Sequence, residues 1–455
     1  MGRDYDFFLV MNACMVLFMQ SGFALLEAGS VRAKNVTNIL IKNLLDVVVG
    51  AIVYWACGFA FAYGKVKRSE HDYVASNIRI IHGGSFYGEF FFNFVFAATA
   101  TTIISGAVAE RVEFLSYLVY GVVATGFIQP VAVHWGWSNG WLLYPPEIIR
   151  LPPAVWYRDY AGGGNVHAVG GIAALVGCVF MGPREGRFED GRKYHIPGHS
   201  TPLTCMGAFI LIIGFLAMVL GHGDNVALGV TNLTIGGSMS GITCMCIVFI
   251  APKLEYLWKY KIKKIPRSRK IKPKQYWSFL VLVDATLAGM VAMCAGCNVL
   301  EPFGAAIIGI VAGFGFAVTE HWLHIRQIDD PVGSIPVHLT GGVIGVLMAP
   351  LFANKEEEYS FIHWKGCDFD CVGDVNSTCV YNLGFQQLLW QMIGIVAILM
   401  WTLVLSSFIF WICWYCDILR VDMDTEVRGI DIAKHGEPAY PNAAYGHGWD
   451  TEGGS

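Results

Sequence analysis

About eleven stretches of roughly twenty apolar residues run through this chain, each long enough for a helix to cross a bilayer. No other feature limits the fold as tightly. Hydrocarbon gives backbone N–H and C=O groups no partner, so a spanning stretch has to satisfy them within itself or within a closed barrel. Stretches of this length read as helices. Their approximate cores are 7–29, 39–62, 90–109, 114–134, 161–181, 203–221, 228–251, 277–297, 303–321, 334–352 and 385–416. The first is long enough to remain as a span rather than be removed as a signal peptide. The last is long for one crossing and is expected to tilt or run on past the bilayer.

Length alone would allow two or three soluble domains for 455 residues, but composition excludes them: 55% of the residues are hydrophobic, 15% are charged and 52 are glycine. Glycine at this frequency suits helices that pack closely in a membrane. A net charge of −4 gives no reason to expect nucleic acid as a partner. Of the 13 cysteines most sit singly in apolar runs, where they act as small hydrophobes, and neither a metal site nor a cofactor is expected.

Lysine and arginine in the short loops set the orientation, because such loops stay in the cytoplasm. Arg32 and Lys34 follow the first span, Arg111 the third, and Arg184, Arg187, Arg192 and Lys193 the fifth. Ten Lys and Arg residues lie between Lys253 and Lys274, after the seventh. All four basic loops fall on one side, so the N-terminus is expected outside and the C-terminus inside. The loop at about 353–384 is then extracellular. It carries Cys367, Cys371 and Cys379 and the glycosylation sequon at Asn376, both chemistries of the non-cytoplasmic side. The sequons at Asn35 and Asn232 fit less well, one being cytoplasmic and the other within a span.

One motif occurs twice. Asp159-x7-His167-x2-Gly170-Gly171 opens the fifth span, and Asp330-x7-His338-x2-Gly341-Gly342 opens the tenth. Their span indices differ by an odd number, so the copies cross the bilayer in opposite directions. That is an inverted-topology repeat, spans 1–5 against spans 6–10, with a long last helix outside it. Ionisable side chains within a span are costly and usually functional, and two facing imidazoles can hold and pass a proton. Asp159 and Asp330 stand at helix starts, where capping of the free backbone N–H groups is the expected role.

Several long, glycine-rich stretches resemble the ammonium transporter family, the Amt/Mep/Rh superfamily, and its eukaryotic members in particular. They are MQSGFALLEAGSVRAKNV (19–36), GAVAERVEF (106–114), DYAGGGNVHAVGG (159–171), GPREGRF (182–188), IDDPVGSIPVHLTGG (328–342) and GIDIAKHGEPAY (429–440). The resemblance implies an eleven-span bundle assembled as a homotrimer in the plasma membrane, with a pore in each subunit that carries ammonium or ammonia and no enzymatic activity. It implies Phe96 as the outer gate and His167 and His338 as the pore pair. Trp137 is implied as the vestibule tryptophan, with Trp135 a competing assignment, and Asp159 as a residue of the recruitment site.

This chain departs from the family pattern in the sixth span. It reads GFLAMVLGH from Gly214 to His222, which sets Phe215 in a pore-lining position, Met218 in place of the second gate phenylalanine and His222 in place of the recruiting serine. Asp284 stands where a neutral polar residue is usual, a candidate intramembrane polar site whose plain alternative is structural pairing. Glu27 and Asp46 are expected to make structural hydrogen bonds. A histidine at 222 with an ordinary pKa predicts transport that falls as external pH drops below about 6.5.

Residues 1–416 are thus expected to form one transmembrane domain. Residues 417–455 form a cytoplasmic tail that docks under the bundle and is disordered beyond about 441. Two alternatives to transport stand beside it: an ammonium sensor with little flux, and a conduit for another small neutral molecule. The sequence names no cytosolic regulator.

Overall fold

The computed structural model describes residues 3–64, 87–149, 151–152, 154–257, 277–354 and 383–441. Asn376, the three cysteines of its loop, most of the basic run after the seventh span and the tail beyond 441 lie outside the described residues. Each of the predicted apolar stretches coincides with a helix. In chain order these are α1 (Tyr5–Ser30), α2 (Ala33–Tyr63), α3 (Tyr87–Ala107), α4 (Phe114–Trp137), α5 (Gly163–Met181), α6 (Thr201–Leu220), α7 (Val226–Leu254), α8 (Phe279–Cys294), α9 (Pro302–Ile325), α10 (Ile335–Phe352) and α11 (Leu383–Tyr415). All but α8 are long and apolar enough to cross a membrane, and α11, at 33 residues, exceeds a single crossing. A short hairpin, β1 (Phe188–Glu189) with β2 (Arg192–Lys193), joins α5 to α6.

The two copies of the motif meet back to back. A Cβ added at Gly171 would lie 2.3 Å from the backbone nitrogen of Leu339, and one at Gly342 would lie 2.3 Å from the carbonyl oxygen of Gly163. Only glycine allows α5 and α10 to cross at backbone contact. The crossing falls beside His167 and His338. Both histidines also sit in a π-helical turn at the head of their helix, Gly163–Ala168 and Ile335–Thr340. Such turns are rare and widen the helix by one residue, which re-aims the side chains they carry.

Charge ties the loops of one face together. Glu110, in the turn between α3 and α4, is fully buried. It accepts from Arg32 Nε at 3.0 Å, Asn35 Nδ2 at 2.9 Å and Arg184 Nη1 at 2.5 Å. Arg184 also reaches Asp329 at 2.6 Å. Arg32, Glu110, Arg184 and Asp329 belong to the connections α1–α2, α3–α4, α5–α6 and α9–α10, so these alternate connections share a face, as the basic loops required. Burial would raise the Glu110 carboxyl, but Arg184 and Arg32 outweigh it and hold its pKa at about 2.

The tail docks on the same face. Asp431 accepts from the backbone N–H groups of Thr37 and Asn38 at the start of α2, at 3.0 and 2.9 Å. Asn35 accepts from Ile430 N at 2.9 Å, and Lys434 pairs with Glu113 at 2.8 Å. These contacts bury Asn35 completely, and Asn232 is buried while donating to the carbonyls of Cys297 and Leu300. Neither asparagine is open to a glycan, as their poor fit to the loop orientation suggested.

Candidate transport site

An aromatic cavity of about 500 Å³ opens on the other face, lined by Phe92, Trp137, Asp159, Tyr160 and His222 among others. At its floor the His222 ring lies 5.1–5.6 Å from four aromatic rings, those of Phe92, Phe96, Trp137 and Tyr160. Phe96 is wholly buried beneath, with its ring edge-on to Phe92 at 4.8 Å. The Trp137 indole N–H donates to the carbonyl of Asp159, which orients the ring toward the cavity. Trp135 instead packs on Trp141 and Trp401, away from this floor. Of the two tryptophans in the HWGW run, Trp137 lines the cavity and Trp135 does not.

His222 Nδ1 donates to the Met218 carbonyl at 2.9 Å, which leaves Nε2 as a hydrogen-bond acceptor. Burial lowers its pKa to about 4. At that value the ring is neutral across the range in which an ordinary histidine charges, which places the loss of transport near pH 4 rather than below about pH 6.5. The shift comes from the four rings packed around the half-buried imidazole, which displace much of the water an imidazolium needs.

Asp159 and Asp330 cap the two motif helices in the same way. Asp159 accepts from the N–H groups of Gly164 and Asn165 at 2.9 and 2.8 Å, and Asp330 accepts from Ile335 N at 2.7 Å. Burial pushes both carboxyls up to about 6, against the pull of these N–H groups. Asp159 borders the cavity, but its carboxylate faces the head of α5.

Between the two faces lie the histidines. Their Nδ1 atoms are 3.2 Å apart, and the rings lie edge to edge and nearly parallel, centroids 5.2 Å apart with 15° between planes. Such a contact requires one ring to donate while the other accepts. The Phe215 ring lies 5.2 Å from that of His167 at 23° to it, and His167 Nε2 is buried with no hydrogen-bond partner among the described residues. Met218 is fully buried one helical turn beyond Phe215. On the side away from the vestibule His338 borders a second, small cavity together with Phe23, Glu27, Asp284 and Ser334.

Glu27 and Asp46 make the hydrogen bonds expected of them. Glu27 accepts from Asn43 at 3.0 Å and Ser105 at 2.9 Å, and Asp46 from Tyr117 at 2.6 Å and Thr102 at 2.9 Å. The buried Lys42 lies over the Tyr117 ring, among both carboxylates. Sequence reasoning missed Phe92 and Tyr160. Phe92 precedes Phe96 by one helical turn on α3, a spacing that could have drawn attention to it. It also passed over Cys294 with Cys297, both buried, and Cys413 with Cys416, two pairs whose spacing suits a metal. Cys413 is buried while Cys416 is exposed, and no group of three metal-ligating side chains occurs among the described residues.

Helices that alternate between two faces, with paired histidines buried between an aromatic mouth and an inner cavity, define a multi-pass membrane protein of the transporter class. Residues 7–440 match the family model described as Ammonium Transporter Family, and the chain belongs to that family. It is 40% identical over 460 residues to the Caenorhabditis elegans protein provisionally named ammonium transporter 1, covering 98% of this chain and 80% of that one. It is 34% identical to ammonium transporter Amt2 of Archaeoglobus fulgidus, over 94% of this chain and 86% of the relative. Among solved structures a chain titled Sensor Amt Protein superposes with a TM-score of 0.76 at 28% identity, covering 95% of this chain and 98% of that one.

Proposed function

We propose that each copy of this chain forms a pore for ammonium and ammonia across the plasma membrane. The cation is drawn into the aromatic vestibule, gives up a proton at its floor, and passes as ammonia along the twin histidines, which relay the proton. The observation that carries this reading is the 3.2 Å contact between His167 and His338, buried behind the vestibule. Bare ammonium is costly to bring into a low-dielectric passage and neutral ammonia is not, so transfer has to separate the proton from its carrier.

Each residue then has a task. Trp137, Phe96 and Phe92 offer π faces worth about 0.5–2 kcal/mol apiece to a desolvated cation. His222 Nε2 accepts one of its hydrogen bonds. Phe96 and Met218 close the passage, and Phe215 keeps water from His167. Asp159 acts through the shape of the α5 head. The inverted repeat explains why two copies of one motif arrive at one place from opposite sides. We further assign the vestibule to the extracellular side, the tail to the cytoplasm, a glycan to Asn376 and a trimer to the assembly.

Growth and current in cells deficient in ammonium uptake test the reading, with wild type beside His167→Ala and His338→Ala. The expected result is growth and inward current for wild type, with currents about tenfold lower or less in either variant, the smallest effect of losing a positioned proton carrier being larger than that. Wild-type protein at the surface that supports neither growth nor current would sink it and favour a sensor.

A further inference from the structure

The vestibule is far larger than an ammonium ion requires. Its volume is about 500 Å³, in the range of sites for small organic molecules, whereas a water-sized ion takes about 30 Å³. Its two ends differ in chemistry. The floor is the set of rings around His222, whose Nε2 accepts an N–H group from a cation. Toward the opening stands Glu89, half-buried at the start of α3. Glu89, Phe92 and Phe96 follow at i, i+3 and i+7, so they share one face of that helix.

Two carboxylates border the cavity among the described residues. Asp159 is occupied by the N–H groups of Gly164 and Asn165. Glu89 makes no hydrogen bond or ion pair to any described residue. Its neighbours Tyr63 and Asn93 are bonded to each other at 2.7 Å, and the charged group acting on it is a second carboxylate, Asp6 at the start of α1. Spacing then sets what fits. At about 1.5 Å per residue, Glu89 stands about 5 Å above Phe92 and about 10 Å above Phe96 along the helix. The His222 ring lies 5.3 and 5.6 Å from those two rings, so a cation on the floor sits about 7 Å below Glu89. An alkane chain of about four or five carbons covers that distance, with Leu9 and Phe92 as an apolar wall between the ends.

Building on the reading of the floor as an ammonium site, we propose that the vestibule is a two-point receptor for a short linear alkane diammonium ion. One ammonium rests on the ring floor and the other on Glu89, and the bound ion plugs the mouth against ammonium. The ends act together, because the first to bind presents the second to its partner at high local concentration. The ion cannot follow ammonium inward. Phe96 and Met218 are fully buried beneath it, and its second charge would have to leave the carboxylate for a low-dielectric passage.

The test is block of ammonium-driven current by solutes of similar length applied on the vestibule side: tetramethylene diammonium, butylammonium and γ-aminobutyrate. All share one ammonium end, and the far end is positive, neutral or negative. In wild type the diammonium blocks at about tenfold lower concentration than butylammonium, about 1.4 kcal/mol of extra binding, and γ-aminobutyrate is the weakest. Glu89→Gln removes the advantage of the diammonium over butylammonium and leaves the half-saturating ammonium concentration within about twofold. Asp6→Asn shifts the diammonium in the same direction by a smaller factor, and it carries the test should Glu89→Gln fail to reach the membrane. Equal block by the diammonium and butylammonium in wild type overturns the receptor. So does a shift in Glu89→Gln that is the same for ammonium, butylammonium and the diammonium, since Glu89 would then act only as a diffuse field. Strongest block by γ-aminobutyrate overturns it as well and assigns the far end to Arg158, which borders the cavity stacked on Trp156. Calorimetric titration of the purified protein reads the same order of affinity without flux. Wild type without any ammonium current therefore overturns the pore reading, while the calorimetric order still decides the receptor.

Discussion

At the scale of single residues, environment matters more than identity. His222 by its chemical type is expected to charge near neutral pH. Four surrounding rings make it a neutral acceptor instead, because desolvation disfavours the charged form. The sign follows directly. A histidine whose pKa is lowered to about 4 stays uncharged above that value and repels no cation until pH falls through it. Current measured at fixed ammonium for wild type and His222→Ser should therefore follow parallel pH profiles from about pH 7 to about pH 5, the range in which an ordinary histidine titrates. The two should separate only near pH 4, where the wild type alone loses current. Divergence centred near pH 6.5 would show that the ring is hydrated in the working protein and that the enclosure is wrong.

At the scale of elements, much was legible because it is local. A run of apolar residues long enough to span hydrocarbon is a property of the run itself, and every such stretch coincides with a helix to within a few residues. Capping by Asp159 and Asp330 was legible for the same reason, since the partner N–H groups lie five or six residues on. The glycine pair after each histidine was quoted in the motif, but what it is for depends on another helix 171 residues away in sequence, the separation of the two histidines. Phe92 was legible only through its one-turn spacing from Phe96, because an aromatic residue facing a cavity and one facing lipid look alike in a row of apolar residues, and nothing local marks Tyr160 as facing the cavity. The glycines carry a prediction. A methyl group at Gly342 would meet the Gly163 carbonyl at 2.3 Å, and backbone cannot swing aside as a side chain does. Gly342→Ala should cost about 1–3 kcal/mol of overpacking strain and separate α5 from α10. It should lower the thermal midpoint in detergent and reduce current per molecule at the surface. A variant with wild-type midpoint and current would mean that the two helices do not touch there.

At the scale of the whole molecule, the two faces are built on opposite principles. Among the described residues the vestibule face is built on aromatic rings, whereas the tail face is knit by ion pairs between connections far apart in sequence. Glu110 and Arg184 are 74 residues apart and Arg184 and Asp329 are 145 apart, so loop charge indicated the side these residues occupy but not their partners. Glu110 is the centre of that face, and its left-handed backbone, φ 68°, is one few residues adopt without compensation. Arg32, Asn35 and Arg184 provide it. The network makes the stability of the whole bundle depend on pH. The Glu110 carboxyl is lowered from 4.5 to about 2 in the folded chain, so its contribution is fully present above pH 4.5 and is lost as pH falls toward 2. Thermal midpoints in detergent should therefore decline over that interval more steeply for wild type than for Glu110→Gln, which cannot titrate. At neutral pH the amide leaves Arg184 and Arg32 short of an anion and should cost about 3–5 kcal/mol, the usual penalty for breaking one side of a buried pair. Parallel acid curves for the two proteins would mean that Glu110 is hydrated and that the tail face is held by its hydrogen bonds alone.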